Sequence, residues 1–161
     1  MDYSTHISQK IMQEAELLQQ LSIWKLKDET VVFTNGCFDI LHKGHIQLLI
    51  EAAALGNHLI IGLNSDESVK RLKGNNRPIN SQQDRAFLLA ALEMVDAVIF
   101  FNEDTPINLI HTIRPNFLVK GGDYQLETIV GADFVMQSGG EVHIVSTLEG
   151  YSTTKILQQK P

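Results

Sequence analysis

A chain of 161 residues, 43% apolar and 20% charged, has the size and composition of one globular domain. A formal net charge of −6 argues against nonspecific nucleic-acid binding, and no apolar run approaches the ~20 residues that cross a bilayer. The single cysteine, Cys37, excludes an intrachain disulfide, and Met1 to Thr5 lack the basic and apolar regions of a signal peptide, so a cytoplasmic protein is expected.

Ile7, Ile11, Ala15, Leu18 and Leu21 recur at spacings of three and four, predicting one amphipathic helix over 5–21. Residues 1–28 are expected to form this helix and a connector, ahead of a main domain over 29–161. Thr30–Thr34 reads as a buried strand, and Ile46, Leu49, Ile50 and Ala53 mark a helix that Gly56 ends. Strand 59–63, a short helix near 66–72 and a helix with Ser81 as its N-cap follow. Next come strand 97–101, a helix opened by Thr105-Pro106, strand 117–119, a helix over 126–138, strand 141–145 and a last short helix capped by Ser152. Short apolar strands that alternate with helices predict a Rossmann-like, doubly wound α/β fold with a five-stranded parallel sheet and helices on both faces. Its ligand should lie at the carboxyl ends of the strands.

Five of the thirteen basic residues, Lys70, Arg71, Lys73, Arg77 and Arg85, fall within sixteen positions. In an acidic chain this suits a small polyanion, although a solvated helix face would look the same. The first strand-to-helix turn, where such sheets bind phosphate, carries Asn35-Gly36-Cys37-Phe38-Asp39 and then His42-Lys43-Gly44-His45. Asn35 and Gly36 allow a tight turn, the amides near Phe38 and the following helix dipole favour an anion, and Gly44 leaves room for a phosphate. His42 and His45, three apart, share one helix face and can both donate to oxygens that gain charge during phosphoryl chemistry. Zinc is the competing reading, but it needs three or four ligands and only Cys37 is near. A chance pair of surface histidines is the other, and the register of strand, turn and helix weighs against it.

The Gly36–His45 segment resembles the signature of the cytidylyltransferase-like nucleotidyltransferase superfamily. Over residues ~30–157, the segments 33–39, Asn64–Val69, Arg71–Asn80, Val119–Tyr124 and Glu149–Thr154 are similar to the heptose 1-phosphate adenylyltransferases in their stand-alone form, without a fused sugar kinase. The resemblance implies that ATP and D-glycero-D-manno-heptose 1-phosphate give ADP-heptose and pyrophosphate, for bacterial lipopolysaccharide core or a related surface glycan. It implies His42, His45 and Lys73 as catalytic residues, Lys73 closing over the triphosphate. Asn35, Gly36, Phe38, Asp39, Gly44, Lys120, Gly121, Asp123, Gly150, Ser152, Thr153 and Thr154 would line the nucleotide, with Tyr124 beside them. Arg77 and Arg85 would hold substrate phosphate. Mg²⁺ would accompany ATP, with Asp39 as its candidate protein ligand.

Residues 146–152 lack the arginine of the related cytidylyltransferases, which favours the heptose-type reading. Glycerol 3-phosphate with CTP, or FMN with ATP, are the alternative substrates, and a non-catalytic nucleotide-binding module is the alternative class. An aminoacyl-tRNA synthetase fragment is disfavoured by acidity and by the lack of a Lys-Met-Ser-Lys-Ser segment. Cys37 reads as a packing residue, and His6, His58, His111 and His143 are assigned no chemistry. A homodimer is expected from the family, the apolar stripe over 7–21 needing either its own domain or a second subunit.

Overall fold

The computed structural model describes residues 2–146 and residue 157. The expected cap at Ser152 and the residues Gly150, Thr153 and Thr154 lie outside the described residues. Five strands, β1 (Val31–Gly36), β2 (His58–Asn64), β3 (Ala97–Phe101), β4 (Phe117–Gly121) and β5 (Glu141–Val145), form one sheet in the order β3-β2-β1-β4-β5. Every neighbouring pair is parallel. The helices are α1 (Tyr3–Gln9), α2 (Glu14–Leu26), α3 (Lys43–Ala53), α4 (Asp66–Lys73), α5 (Gln82–Ala90), α6 (Ile107–Ile113) and α7 (Ala132–Gln137). This is the Rossmann-like α/β fold expected from the alternation of elements. Among the described residues, no helix is long and apolar enough to cross a membrane.

Strand alternation explains the two cores. Val31, Phe33 and Ile60 point to the face shared with Leu17, Trp24, Ile110 and Val135. Val32, Leu59, Ile61 and Leu63 point to the other, shared with Leu49, Ala86 and Leu89. Because both faces are covered, the strands read as continuous apolar runs. Gly62 sits where the ring of Phe33 crosses β2, and a Cβ there would lie 2.7 Å from Cζ of Phe33. Gly62→Ala is therefore expected to cost about 1–3 kcal/mol through overpacking, measured as a lower midpoint in urea.

Two helices differ from expectation. The predicted helix over 5–21 is broken at residues 10–13, because the outer edge of β3 has backbone groups to satisfy. Val98 N–H donates to the Lys10 carbonyl (2.8 Å) and Met12 N–H to the Val98 carbonyl (2.9 Å), so Ile11 forms a one-residue parallel bridge. Ile7 and Ile11 then pack on one face of the sheet, and Met12, Leu17, Leu21 and Trp24 on the other. Leu17 is buried and Leu18 exposed, the reverse of the predicted stripe. The predicted helix over 126–138 divides into a 3-10 turn at Leu126–Thr128 and α7. Gly131 separates them at φ +83, where a Cβ would come within 2.6 Å of Ile110 Cδ1; the close approach to α6 forbids a continuous helix. At the start of α6 the N-cap is Pro106 rather than Thr105.

The amino ends of the strands are tied by His58. Its ring stacks on Trp24 with centroids 4.0 Å apart and planes 10° from parallel. Nε2 lies 2.8 Å from Glu29 Oε2, and Nδ1 lies 3.4 Å from Asp96 Oδ1.

Candidate active site

The carboxyl ends of β1, β2 and β4 open onto a cleft lined by Asn35, Gly36, Cys37, Phe38, Asp39, His45, Leu48, Asn64, Lys73, Arg77, Lys120, Gly121 and Tyr124. The turn after β1 is held in an unusual shape. Phe38 adopts φ +43, a conformation costing about 1–3 kcal/mol for a residue with a side chain, offset by burying its ring. That ring covers Gly36, where a Cβ would lie 3.0 Å from Phe38 Cε2.

His42 is the extended N-cap of α3, and its carbonyl accepts from the amides of His45 (2.9 Å) and Ile46 (3.2 Å). The His42 and His45 rings stack with centroids 3.8 Å apart and an 18° interplanar angle, and His45 meets Phe38 edge-on at 5.2 Å. Burial lowers both imidazoles. For His45 the neighbouring His42 and Lys73 add to that, against a weaker opposite pull from the Ile40 carbonyl, and the pKa falls to about 4. His45 is thus neutral at pH 7 and has an N–H to donate without carrying charge. Gly44 stands in the first turn of α3 between them. The dipole and first amides of this eleven-residue helix face the same place.

Asp39 is placed differently from the metal ligand anticipated. Its buried carboxylate accepts from Arg77 Nε (2.6 Å), the Ile79 amide (2.8 Å) and the Asn80 amide (3.0 Å), and its carbonyl accepts from Asn80 Nδ2 (2.7 Å). Burial alone would raise its pKa, but the Asn80 and Ile79 amides and the Arg77 guanidinium outweigh that and hold it below the usual carboxylate value. Both oxygens are committed to fastening the 77–80 loop onto the phosphate turn. A magnesium ligand must offer a free oxygen, and this residue does not fit.

Arg85, expected at a substrate phosphate, is buried away from the cleft instead. It is fully buried, with Nη2 2.8 Å from Asp66 Oδ1, Nη1 donating to the Cys37 carbonyl (2.6 Å) and Nε to the Asn80 carbonyl (3.1 Å). No donor edge is presented to a substrate phosphate. The guanidinium joins the phosphate turn, the start of α4 and the 77–80 loop, which makes it a positioning residue. Arg85→Lys leaves at least one of these carbonyls unpaired, since an ammonium cannot reproduce the planar fork. Thermal unfolding is expected to show about 1–3 kcal/mol of lost stability.

Lys73 is the last residue of α4, one beyond the helix predicted near 66–72, at the exposed rim of the cleft. Lys120 donates to Asn35 Oδ1 across the β1–β4 pair, and burial lowers its pKa to about 8. Asp123 is exposed in the turn after β4, where Gly122 takes φ +133. Two cleft residues were given no individual role by sequence reasoning. Leu48 packs so closely that a Cβ on Gly121 would lie 3.0 Å from it. Asn64, buried at the end of β2, donates to Ser68 Oγ (3.0 Å). A polar residue closing an apolar strand was the available signal for Asn64; Leu48, off the apolar face of the predicted helix, carried none. Among the described residues there is no group of three or more His, Cys, Asp or Glu side chains able to hold a metal.

Two stacked imidazoles at a helix start, facing cations across a strand-end cleft, suit a polyphosphate attacked at phosphorus, and the domain is of the nucleotidyltransferase class. Sequence comparison narrows that class: a cytidylyltransferase-like family model matches residues 33–159. The chain belongs to the cytidylyltransferase-like family. It is 51% identical over 150 residues to the bifunctional protein HldE of Koribacter versatilis, covering 93% of this chain and 31% of that protein. It is 53% identical over 152 residues to HldE of Nitrobacter winogradskyi, covering 94% and 31%. The chain thus spans about a third of the length of these curated relatives. A crystal structure of the lipopolysaccharide core biosynthesis protein from Thermoplasma volcanium is similar, with TM-score 0.60, 29% identity and coverage of 77% of this chain and 99% of that one. The pantoate-beta-alanine ligase of Francisella tularensis shares the fold, with TM-score 0.59, 18% identity and coverage of 86% and 67%.

Proposed function

We propose that this chain is a heptose 1-phosphate adenylyltransferase, converting ATP and D-glycero-D-manno-heptose 1-phosphate into ADP-heptose and pyrophosphate in the bacterial cytoplasm. The observation that carries the reaction class is the stacked His42–His45 pair at the start of α3. The substrate assignment is supported by about half identity to HldE proteins over the domain and by the likeness to a lipopolysaccharide core biosynthesis protein. ADP-heptose would feed lipopolysaccharide core or a related surface glycan.

A phosphate oxygen of the sugar attacks the α-phosphorus of ATP, the bond to the β-phosphate oxygen breaks, and pyrophosphate leaves in line. His42 and His45 donate hydrogen bonds to the oxygens that gain charge, the α3 dipole adds to this, and Lys73 covers the triphosphate from the rim. Arg77, fixed through Nε on Asp39, directs the rest of its guanidinium at phosphate. Mg²⁺ would arrive on the phosphates of ATP, neutralising them, since Asp39 has no oxygen to give. The homodimer in this reading rests on the family resemblance, Ile7, Ile11 and Leu21 of the 7–21 stripe being partly covered within the subunit and Ala15 and Leu18 exposed; sedimentation equilibrium measures it.

The test is a pyrophosphate-release assay crossing ATP and CTP with a panel of sugar 1-phosphates, glycerol 3-phosphate and FMN. Turnover is expected with ATP and heptose 1-phosphate. Activity confined to CTP with glycerol 3-phosphate, or to ATP with FMN, overturns the substrate assignment and leaves the reaction class standing.

A further inference from the structure

The cations of the cleft stand on opposite sides of the phosphate turn. Lys73 and Arg77 come from α4 and the loop after it, beyond β2, whereas Lys120 comes from β4, on the other side of β1. Arg85, the other candidate for the acceptor phosphate, is buried with its donors committed. Lys120 has no carboxylate partner among the described residues, and its ammonium is tied only to the neutral amide oxygen of Asn35. Among the described residues, the other titratable groups lining the cleft are Cys37, Asp39, His45, Lys73, Arg77 and Tyr124, and the carboxylate of Asp39 is held by Arg77 and the loop amides. A half-buried ammonium without a counter-charge is an incomplete ion pair waiting for an anion.

In-line displacement fixes which anion that is. The attacking and leaving oxygens must lie on opposite sides of the α-phosphorus. With the leaving pyrophosphate on the Lys73 and Arg77 side, beyond β2, the nucleophile arrives from the β4 side. We propose that Lys120 is the counter-charge for the acceptor's phosphate and so selects a phosphomonoester as nucleophile, an assignment that rests on the function proposed above. It moves Lys120 from the nucleotide, where the family resemblance had it, to the second substrate. An ammonium whose pKa burial has brought to about 8 is charged below that pH and loses its charge as pH rises through it.

The experiment compares the wild type with Lys120→Met and Lys120→Arg, measuring acceptor KM with heptose 1-phosphate at saturating ATP and ATP affinity by equilibrium titration. Lys120→Met is expected to raise acceptor KM by about tenfold to a hundredfold, the worth of one charged hydrogen bond, while ATP affinity stays unchanged. Lys120→Arg should restore part of that loss and remove the wild type's rise in acceptor KM above pH 8, since arginine stays protonated. Retained ATP binding shows that each variant is folded. An acceptor KM that does not move, or ATP affinity that falls as far as acceptor affinity, overturns the assignment. A wild type inactive with every phosphorylated acceptor overturns the proposed function and this inference together; an active wild type with an unmoved KM overturns this inference alone.

Discussion

Replacing His45 by alanine is expected to lower kcat by about 10²- to 10³-fold, with little change in stability. His45 is partly exposed and contributes one edge contact to Phe38 and one stacked contact to His42, neither of which closes a core. Its weight falls on the charged oxygens of the transition state, where a fixed, partly buried donor acts most strongly. Steady-state rates with both substrates saturating measure this, and a kcat within a few-fold of wild type would remove the pair from the mechanism.

The same residue predicts a pH response. An unfolded chain takes up a proton on this histidine near pH 6.5, but the folded protein resists until about pH 4. The unfolded state therefore binds more protons across that window, and His45 subtracts stability progressively as pH falls from 6.5 towards 4. A bound triphosphate reverses the sign by favouring the imidazolium. ATP should then protect against thermal unfolding more strongly at pH 5.5 than at pH 7.5, with net proton uptake on binding. Calorimetry in buffers of different ionisation enthalpy reads that uptake.

Asp39→Ala is expected to be the most destabilising of the substitutions considered, at about 3–5 kcal/mol, because it strands Arg77 and two loop amides without their acceptor. For a domain of this size that corresponds to roughly 10 °C in Tm. Activity should fall with it, since the loop that aims Arg77 is no longer fastened to the phosphate turn. Asp39→Asn separates the two effects, as it keeps the shape and one acceptor while turning an N–H towards donors. The carboxyl is held below its ordinary value in the folded state, so its contribution is complete above the unfolded pKa and fades as pH falls through the folded one. Wild type and Asp39→Ala stability curves should therefore converge in strong acid.

The fold was legible wherever local pattern decides. β3 over 97–101 and β5 over 141–145 match the apolar runs residue for residue. Periodicity misjudged 5–21 and 126–138 because the deciding contacts are distant: the unpaired edge of β3 in one case, the approach of Gly131 to Ile110 in the other. The site divides the same way. His42, Gly44 and His45 lie together on one helix start, so their geometry is written locally. Asp39 and Arg85 are carboxylate and guanidinium of unspecified use until the chain folds, because their partners are far away. Asp39 meets Asn80 across 41 positions and Arg85 meets Cys37 across 48. A charged residue near a phosphate turn looks like a ligand from sequence, and burial alone distinguishes the strut from the hand.

The stacking of Trp24 on His58 has a spectroscopic consequence. This indole is the only one in the chain, and it sits at the amino ends of the strands, away from the cleft at their carboxyl ends. Its emission is therefore an intrinsic optical probe of one end of the sheet. Detachment of α2 from the sheet will alter its brightness, whereas occupation of the phosphate turn will leave it unchanged. Unfolding and catalysis can thus be followed in one cuvette without the signals overlapping.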